Sequence, residues 1–304
     1  MTPEPALDPN LNGAGPLPKP PWLKVRLQHG PRYQELAALT GELAIHTVCR
    51  EARCPNIYEC WNAGTATFMI LGSVCTRACR FCAVDFGLPT ELDLQEPQRV
   101  AEAVARLRLD HAVITSVARD DLADGGASVF AATVEAVKAA SPGTTVEVLV
   151  PDFGGSQEAV AAVMAAGPAV FNHNIETVER LTPLVRSRAR YRRSLAVLAQ
   201  AARLAREQEE PALIKSGLML GLGEHREEVE QALLDLRAAG CSILTLGQYL
   251  QPSPDHLPVA RYVPPAEFGR WRETALAMGF VHVESGPLVR SSYRAHRYRA
   301  QVAP

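Results

Sequence analysis

Six of the seven cysteines fall in two runs within 34 residues: Cys49, Cys54 and Cys60, then Cys75, Cys79 and Cys82. The second run, CTRACRFC, is a CxxxCxxC. Three thiolates that close together can hold three corners of a cubane iron–sulfur cluster, leaving the fourth iron open to an exogenous ligand. Zinc also binds thiolates, yet structural zinc sites usually draw four ligands from two CxxC-like pairs. Here no fourth cysteine or histidine stands at matching spacing. The first run is a triplet too, so the chain offers two incomplete ligand sets side by side. An odd number of cysteines at short spacings in a long chain speaks against a disulfide framework and for metal. The seventh, Cys241, follows Gly240 and precedes an apolar run, and reads as a small buried hydrophobe.

Such ligand sets need a scaffold. At 304 residues and 47% hydrophobic, the chain can bury one large core. From Thr67 onward, short β-branched or apolar runs alternate with longer stretches rich in Ala, Leu, Glu and Arg, the pattern of successive βα units on a parallel sheet. Strands are expected over 67–71, 112–115, 146–150, 169–171, 214–219 and 243–246. Helices are expected over 97–107, 128–140, 157–165, 191–207, 227–239 and 265–278. The fold class is therefore α/β, a partial (β/α)6 TIM-type barrel with an N-terminal cysteine-rich extension and a short C-terminal tail; a flat doubly wound sheet has the same periodicity.

The expected divisions are a Pro-rich disordered lead over 1–31, the extension over 32–65, the barrel over 66–284 and the tail over 285–304. A short helix over 32–47 leads into the first triplet, whose sequence CREARCPNIYEC reads as a metal-organised loop with at most a turn of helix. Polar, Gly-rich segments follow the strands: Ser116 to Asp121 with Gly125 and Gly126, Asp152 to Gly155, Asn172 to Glu176, Gly221 to Glu224, and Gln248 with Tyr249. In parallel α/β folds the C-terminal strand ends carry the site. All of these should face one mouth, with CxxxCxxC in the loop after the first of the six strands.

The formal net charge is −2, so no global field favours nucleic acid or an anionic membrane. No apolar run approaches the roughly 18 residues of a membrane span. The N-terminus lacks the basic start and apolar core of a secretory signal, and a cytoplasmic location is expected.

CxxxCxxC followed by βα units resembles the radical S-adenosylmethionine (SAM) superfamily. A cysteine triplet spaced by four and then five residues just upstream resembles the lipoyl synthase family in particular. Five further blocks match that family in order: SVARDDLADGGA at 116–127, FNHNIETVERL at 171–181, KSGLMLGLGE at 215–224, LGQYLQPS at 246–253 and SGPLVRSSYRA at 285–295. The resemblance covers about residues 32–299.

The resemblance implies two 4Fe-4S clusters. One, on Cys75, Cys79 and Cys82, chelates SAM through its open iron and yields a 5′-deoxyadenosyl radical. The other, auxiliary, cluster sits on Cys49, Cys54 and Cys60, with Ser292 of the RSSY motif as its fourth ligand and its sulfide as the sulfur source. The implied reaction inserts sulfur at carbons 6 and 8 of a protein-bound octanoyl chain and uses two SAM. Those carbon–hydrogen bonds are too strong for acid–base chemistry. Implied partners are octanoylated lipoyl carrier domains (2-oxoacid dehydrogenase E2 subunits, glycine cleavage H protein), an electron donor such as flavodoxin or ferredoxin, and an iron–sulfur carrier for cluster repair; neither nucleic acid nor membrane is implied. Another two-cluster sulfur inserter, of the tRNA methylthiotransferase kind, is the competing enzyme reading. A zinc-stabilised binding protein competes from outside enzymes.

Asn172, Asn174, Glu176, Lys215, Gln248 and Tyr249 sit at the expected mouth as candidates for holding SAM, with helix capping and backbone satisfaction as the ordinary alternative. Asp120 and Asp121 are placed to bind ribose hydroxyls, or Asp121 to hold the turn at Gly125 and Gly126. His173 has no second ligand beside it, so a metal role is not expected. The basic run from Arg186 to Arg193 suits RNA, an exposed helix start, or contact with the SAM carboxylate or an acidic carrier surface. Arg188 is the first candidate there, and Arg294, Arg297 and Arg299 are expected on the same docking surface.

Overall fold

The computed structural model describes residues 17–25, 28–63, 65–186 and 188–295. Helix α1 (Pro31–Glu42) opens with a proline, whose missing N–H is one of the donors that a helix start leaves unpaired. Strand β1 (His46–Thr47) and helices α2 (Val48–Glu51) and α3 (Ile57–Asn62) follow. Leu36 and Leu39 of α1 and Trp61 of α3 are buried and join this extension to the main core. The first triplet straddles the short helices: Cys49 lies in α2, Cys54 in the connection and Cys60 in α3. Two short helices thus stand where the pattern suggests a loop.

Seven parallel strands come next: β2 (Thr67–Ile70), β3 (His111–Ser116), β4 (Thr145–Leu149), β5 (Val170–Asn172), β6 (Leu213–Leu220), β7 (Ile243–Gln248) and β8 (His282–Gly286). Helices α4 (Glu96–Leu107), α5 (Ala127–Ala140), α6 (Gln157–Ala165), α7 (Thr182–Val185), α8 (Tyr191–Ala205), α9 (Arg226–Ala238) and α10 (Pro265–Ala277) occupy the crossovers. Strands pair in chain order from β1 to β8, with β1 antiparallel to β2 and every later pair parallel. A doubly wound sheet reverses its order at a switch point. This one does not, so the partial barrel is the architecture.

The six expected strands are all present, each within a residue or two of its expected ends. The pattern misses two edge strands for a physical reason: β1 has only two residues, and β8, HVESG, buries only Val283 and so shows no apolar run. Outward-facing strand residues such as Phe68, Val148, Phe171 and Leu244 pack in the main core with the helices. Phe171 is fully buried, and its truncation to Ala would cost about 3–5 kcal/mol.

The barrel interior is different. Val113, Val170 and Ile243 form a small apolar cluster with Ala295 of the tail, beside fully buried Glu147, Asn172 and Lys215. The tail after β8 therefore enters the barrel. Gly247 of β7 makes room for it, since a Cβ there would collide with the Val289 carbonyl oxygen. Among the described residues no helix is long and apolar enough to cross a membrane.

Candidate active site

A cavity of about 600 Å³ opens at the C-terminal ends of the strands, and all six clustered cysteines line it. Apolar side chains, among them Met69, Val117, Leu149 and Met219, make much of the remaining wall. From the tail, Arg290, Ser291 and Ser292 reach the same space.

The CxxxCxxC loop, which follows β2, is held by backbone and by two arginines. Cys75 exchanges backbone bonds with Asp85 and Gly87, at 2.8 and 2.9 Å. The N–H groups of Arg77 and Ala118 donate to Cys75 Sγ at 3.4 and 3.3 Å. Arg77 forks onto Asp120 and also pairs with the fully buried Asp152 at 2.7 Å. Arg119 forks onto Asp121 and donates to the carbonyls of Leu71 and Glu91 at the two ends of the loop. Bidentate pairs fix orientation as well as distance. His256 Nε2 donates to the Cys82 carbonyl at 2.8 Å, closing the loop from the far side.

The first triplet lines the same cavity and is tied to the tail. Asn56 Nδ2 donates to the Leu288 carbonyl at 2.6 Å, and Tyr293 donates to Glu59 at 2.9 Å. The Ser291 hydroxyl is shared between Asn172 and Asn174, at 2.8 and 3.1 Å. Ser292 lines the cavity with the cysteines.

All seven cysteines are free thiols. Burial pushes Cys49 and Cys79 up to about 11 and Cys82 to about 12, and raises Cys54 and Cys60 as well; within each triplet neighbouring sulfurs add repulsion. These five thiols are costly to ionise alone, whereas bound cationic iron offsets both burial and repulsion. Among the described residues no three His, Cys, Asp or Glu side chains converge on one point that would hold a single ion. Thiolates set around a cavity wall suit the separated corners of a cubane, while a zinc ion gathers its sulfurs at about 2.3 Å. The donor set therefore fits iron–sulfur clusters.

Of the residues expected to hold SAM, Asn174 and Glu176 line the cavity, with Glu176 near Cys79. Glu176 takes a positive φ of 66° and bridges to Leu218 of β6. Burial pushes its carboxyl up, against the pull of Arg186, Asn174 and Arg290.

Two expectations, Lys215 and Asn172 at the mouth, need correction. Lys215 is not at the mouth: it is the third residue of β6, fully buried, and paired with Glu147 at 2.8 Å. Burial alone would raise the Glu147 carboxyl, but Lys215 and His111 hold it at about 2. Asn172 lies beneath the cavity between Glu147 and Ser291. Gln248 and Tyr249 do line the cavity, but their polar atoms are already used. Gln248 contacts the carbonyls of Leu220, Tyr249 and Arg261 and accepts from Val263 N, while Tyr249 donates to Leu257 O at 2.6 Å. Arg188 is exposed, 3.8 Å from Asp120, in an adjacent cavity of about 680 Å³ that shares the Arg77 wall.

The first arginine of the basic run is the one that faces the cysteines. Arg186 is buried in the cavity wall and donates to Ile175 O and Ser194 Oγ, each at 3.2 Å. Arg290 sits beside Cys54 and Glu176. Nothing in the spacing separates Arg186 from its neighbours, though Arg290 could have been found as the first residue of RSSY. Asp124, rather than Asp121, holds the glycine turn, accepting from Gly126 N and Ser128 N. His173 is structural: it bonds Val150 O and Ser194, and burial pushes it down to about 4. Cys241 is fully buried, as expected. Arg294 pairs with Glu59, and Arg297 and Arg299 lie outside the described residues.

Residues 69–236 match the radical SAM superfamily. The chain is 59% identical over 278 residues to a lipoyl synthase of Rubrobacter xylanophilus, covering 91% of this chain and 85% of that protein. It is 57% identical to a lipoyl synthase of Symbiobacterium thermophilum, covering 93% and 88%, and 58% identical to one of Bacillus cereus, covering 91% and 92%. In fold it is similar to Streptococcus suis SuiB, solved bound to S-adenosylmethionine (TM-score 0.53, 8% identity, 73% of this chain, 50% of that one). It is likewise similar to methylornithine synthase (TM-score 0.50, 12% identity, 84% and 82%).

Proposed function

The chain belongs to the lipoyl synthase family of the radical SAM superfamily, and we propose that one shared cavity brings the radical source and the sulfur source within reach of one octanoyl chain. It is a sulfur-transferring enzyme that acts on an octanoylated carrier protein and uses a 4Fe-4S cluster and SAM. The finer assignments are ours. Cys75, Cys79 and Cys82 hold the cluster that meets SAM; Cys49, Cys54, Cys60 and Ser292 hold a second, making two. In domain terms, 32–65 is the extension carrying the second ligand set, 66–284 the barrel and 285–304 the tail that completes it. We assign the carriers to 2-oxoacid dehydrogenase E2 subunits and the glycine cleavage H protein, the electron donor to a flavodoxin or ferredoxin, and cluster repair to an iron–sulfur carrier, in the cytoplasm.

When bound, the clusters and SAM supply the radical that removes hydrogens from carbons 6 and 8 and the sulfide that replaces them. The chain's own residues prepare the space. Arg77 and Arg119 fix the CxxxCxxC loop through five carboxylate and carbonyl partners, and Asn174 and Glu176 present polar groups beside it. Met69, Val117, Leu149 and Met219 give an eight-carbon chain an apolar wall and keep water from a reactive centre. Arg186 and Arg290 supply buried positive charge where thiolates and carboxylates gather.

The observation that carries this reading is that both cysteine triplets and Ser292 line the same cavity. The test separates their jobs. Cys79→Ala should abolish SAM cleavage, while Cys54→Ala should keep cleavage and lose sulfur insertion into octanoylated carrier. Equal loss of cleavage in two well-folded variants would contradict the division, and sulfur insertion into tRNA but not carrier would overturn the substrate.

A further inference from the structure

A chain of buried polar groups crosses the barrel interior beneath the cavity. Lys215 Nζ donates to Glu147 Oε1 at 2.8 Å, and Asn172 Nδ2 donates to the same oxygen at 2.9 Å. Asn172 Nδ2 also donates to Ser291 Oγ at 2.8 Å, and the Ser291 hydroxyl donates to Asn174 Oδ1 at 3.1 Å. Lys215, Glu147 and Asn172 are all 0% exposed, and His111 Nε2 lies 3.5 Å from Glu147 Oε2. A buried ion pair contributes little net stability compared with well-packed hydrocarbon. What this pair does contribute is direction: it orients one amide whose remaining contact is the tail.

We infer that Lys215, Glu147 and Asn172 are positioning residues that hold Ser291 and thereby deliver Ser292 to the first triplet, which rests on the reading of Ser292 as a ligand. Other holds flank it, among them the exposed contacts of Tyr293 and Arg294 with Glu59. Asn56 pins Leu288, and Ala295 fills the apolar cluster with Val113, Val170 and Ile243. Next to Ser292, the Ser291 hydroxyl is the anchor that reaches the buried polar groups of the barrel interior. Because Asn174 belongs to the segment that carries Glu176 into the cavity, the same hydroxyl joins the tail to the SAM side of the site. The two serines of RSSY then have separate work: the first is a latch and the second a ligand. A local latch is needed because misplacing a reacting group by about 1 Å is enough to cost most of its effect.

The test uses the full chain with Ser291→Ala, Ser291→Thr and the charge-free double variant Glu147→Gln/Lys215→Met, which avoids stranding one buried ion. Two quantities are read: amide hydrogen exchange of 288–295 in metal-free protein, and the Mössbauer spectrum, with iron per chain, after anaerobic reconstitution. For Ser291→Ala, losing a buried hydrogen-bond partner should speed tail exchange by about tenfold or more, with β3 to β7 unchanged. Iron should stay near about eight per chain, since three thiolates hold a cubane, but the signature of an oxygen-ligated iron in the second cluster should be lost. Ser291→Thr should restore both, and the double variant should loosen the tail as Ser291→Ala does. Unchanged tail exchange in Ser291→Ala and the double variant would overturn the latch. A loosened tail with that signature kept would overturn delivery of Ser292. If wild-type protein itself takes only four irons, the two-cluster reading fails and tail exchange alone judges the latch.

Discussion

Replacing Gly247 with alanine tests whether the tail truly runs inside the barrel. Gly247 lies in β7, pairs with Gly286 of β8, and has no positive φ, so its backbone accepts alanine. The difficulty is the tail: an added Cβ collides with the Val289 carbonyl oxygen, comes within 3.1 Å of its carbon and lies 3.5 Å from Arg290 Nη1. Overpacking of this kind costs about 1–3 kcal/mol, while Gly→Ala at a compatible site stabilises by about 0.4–1 kcal/mol through the unfolded chain. The full chain should therefore lose about 1–2 kcal/mol in urea denaturation of metal-free protein. In a chain ending at Gly286 the collision partner is gone, and the same substitution should be neutral or slightly stabilising. The coupling between substitution and truncation should be about 1–3 kcal/mol. An identical loss in both backgrounds would refute the tail's placement, because the penalty would then come from the strands.

Three further outcomes are expected. His173 has a folded pKa of about 4 against 6.5 unfolded; its neutral form is favoured by folding, so stability is full above pH 6.5 and falls by about 3 kcal/mol as pH drops toward 4. His173→Asn should flatten that part of a stability-versus-pH profile, and an unchanged slope would contradict the assignment. Gln248→Leu keeps the volume but strands Val263 N and the carbonyls of Leu220 and Arg261, and should cost about 2–4 kcal/mol in chemical unfolding; a loss below about 0.5 kcal/mol would mean the amide is dispensable. Arg77→Ala leaves the fully buried Asp152 with Arg193, at 3.3 Å, as its remaining ion-pair partner, and should cost about 3–5 kcal/mol. Thermal melts at matched pH would detect either that loss or its absence.

The scaffold and the grouping of the cysteines were largely legible in the sequence, because βα alternation and thiol spacing are local signals. Strands β2 to β7 announce themselves by apolar runs, whereas β1 and β8 are short edges and leave none. The roles of individual polar residues were not legible. Lys215 sits in the same family block as mouth residues, yet strand alternation turns it into the barrel interior against Glu147, 68 residues earlier in the chain. Gln248 and Tyr249 stand at a strand end, as binding residues do, but a loop folds back and takes up their polar atoms. Arg186 and Arg188 differ by two positions, and backbone geometry alone decides that the first faces the cysteines. Such outcomes depend on contacts between distant segments, which no local period encodes.

Central to the account is that two triplets hold two clusters, and metal content tests this most directly. Anaerobically reconstituted wild-type protein should carry about eight irons and eight sulfides per chain, and Cys54→Ala and Cys79→Ala about four of each. Four irons in wild type, or zinc in place of iron, would contradict it.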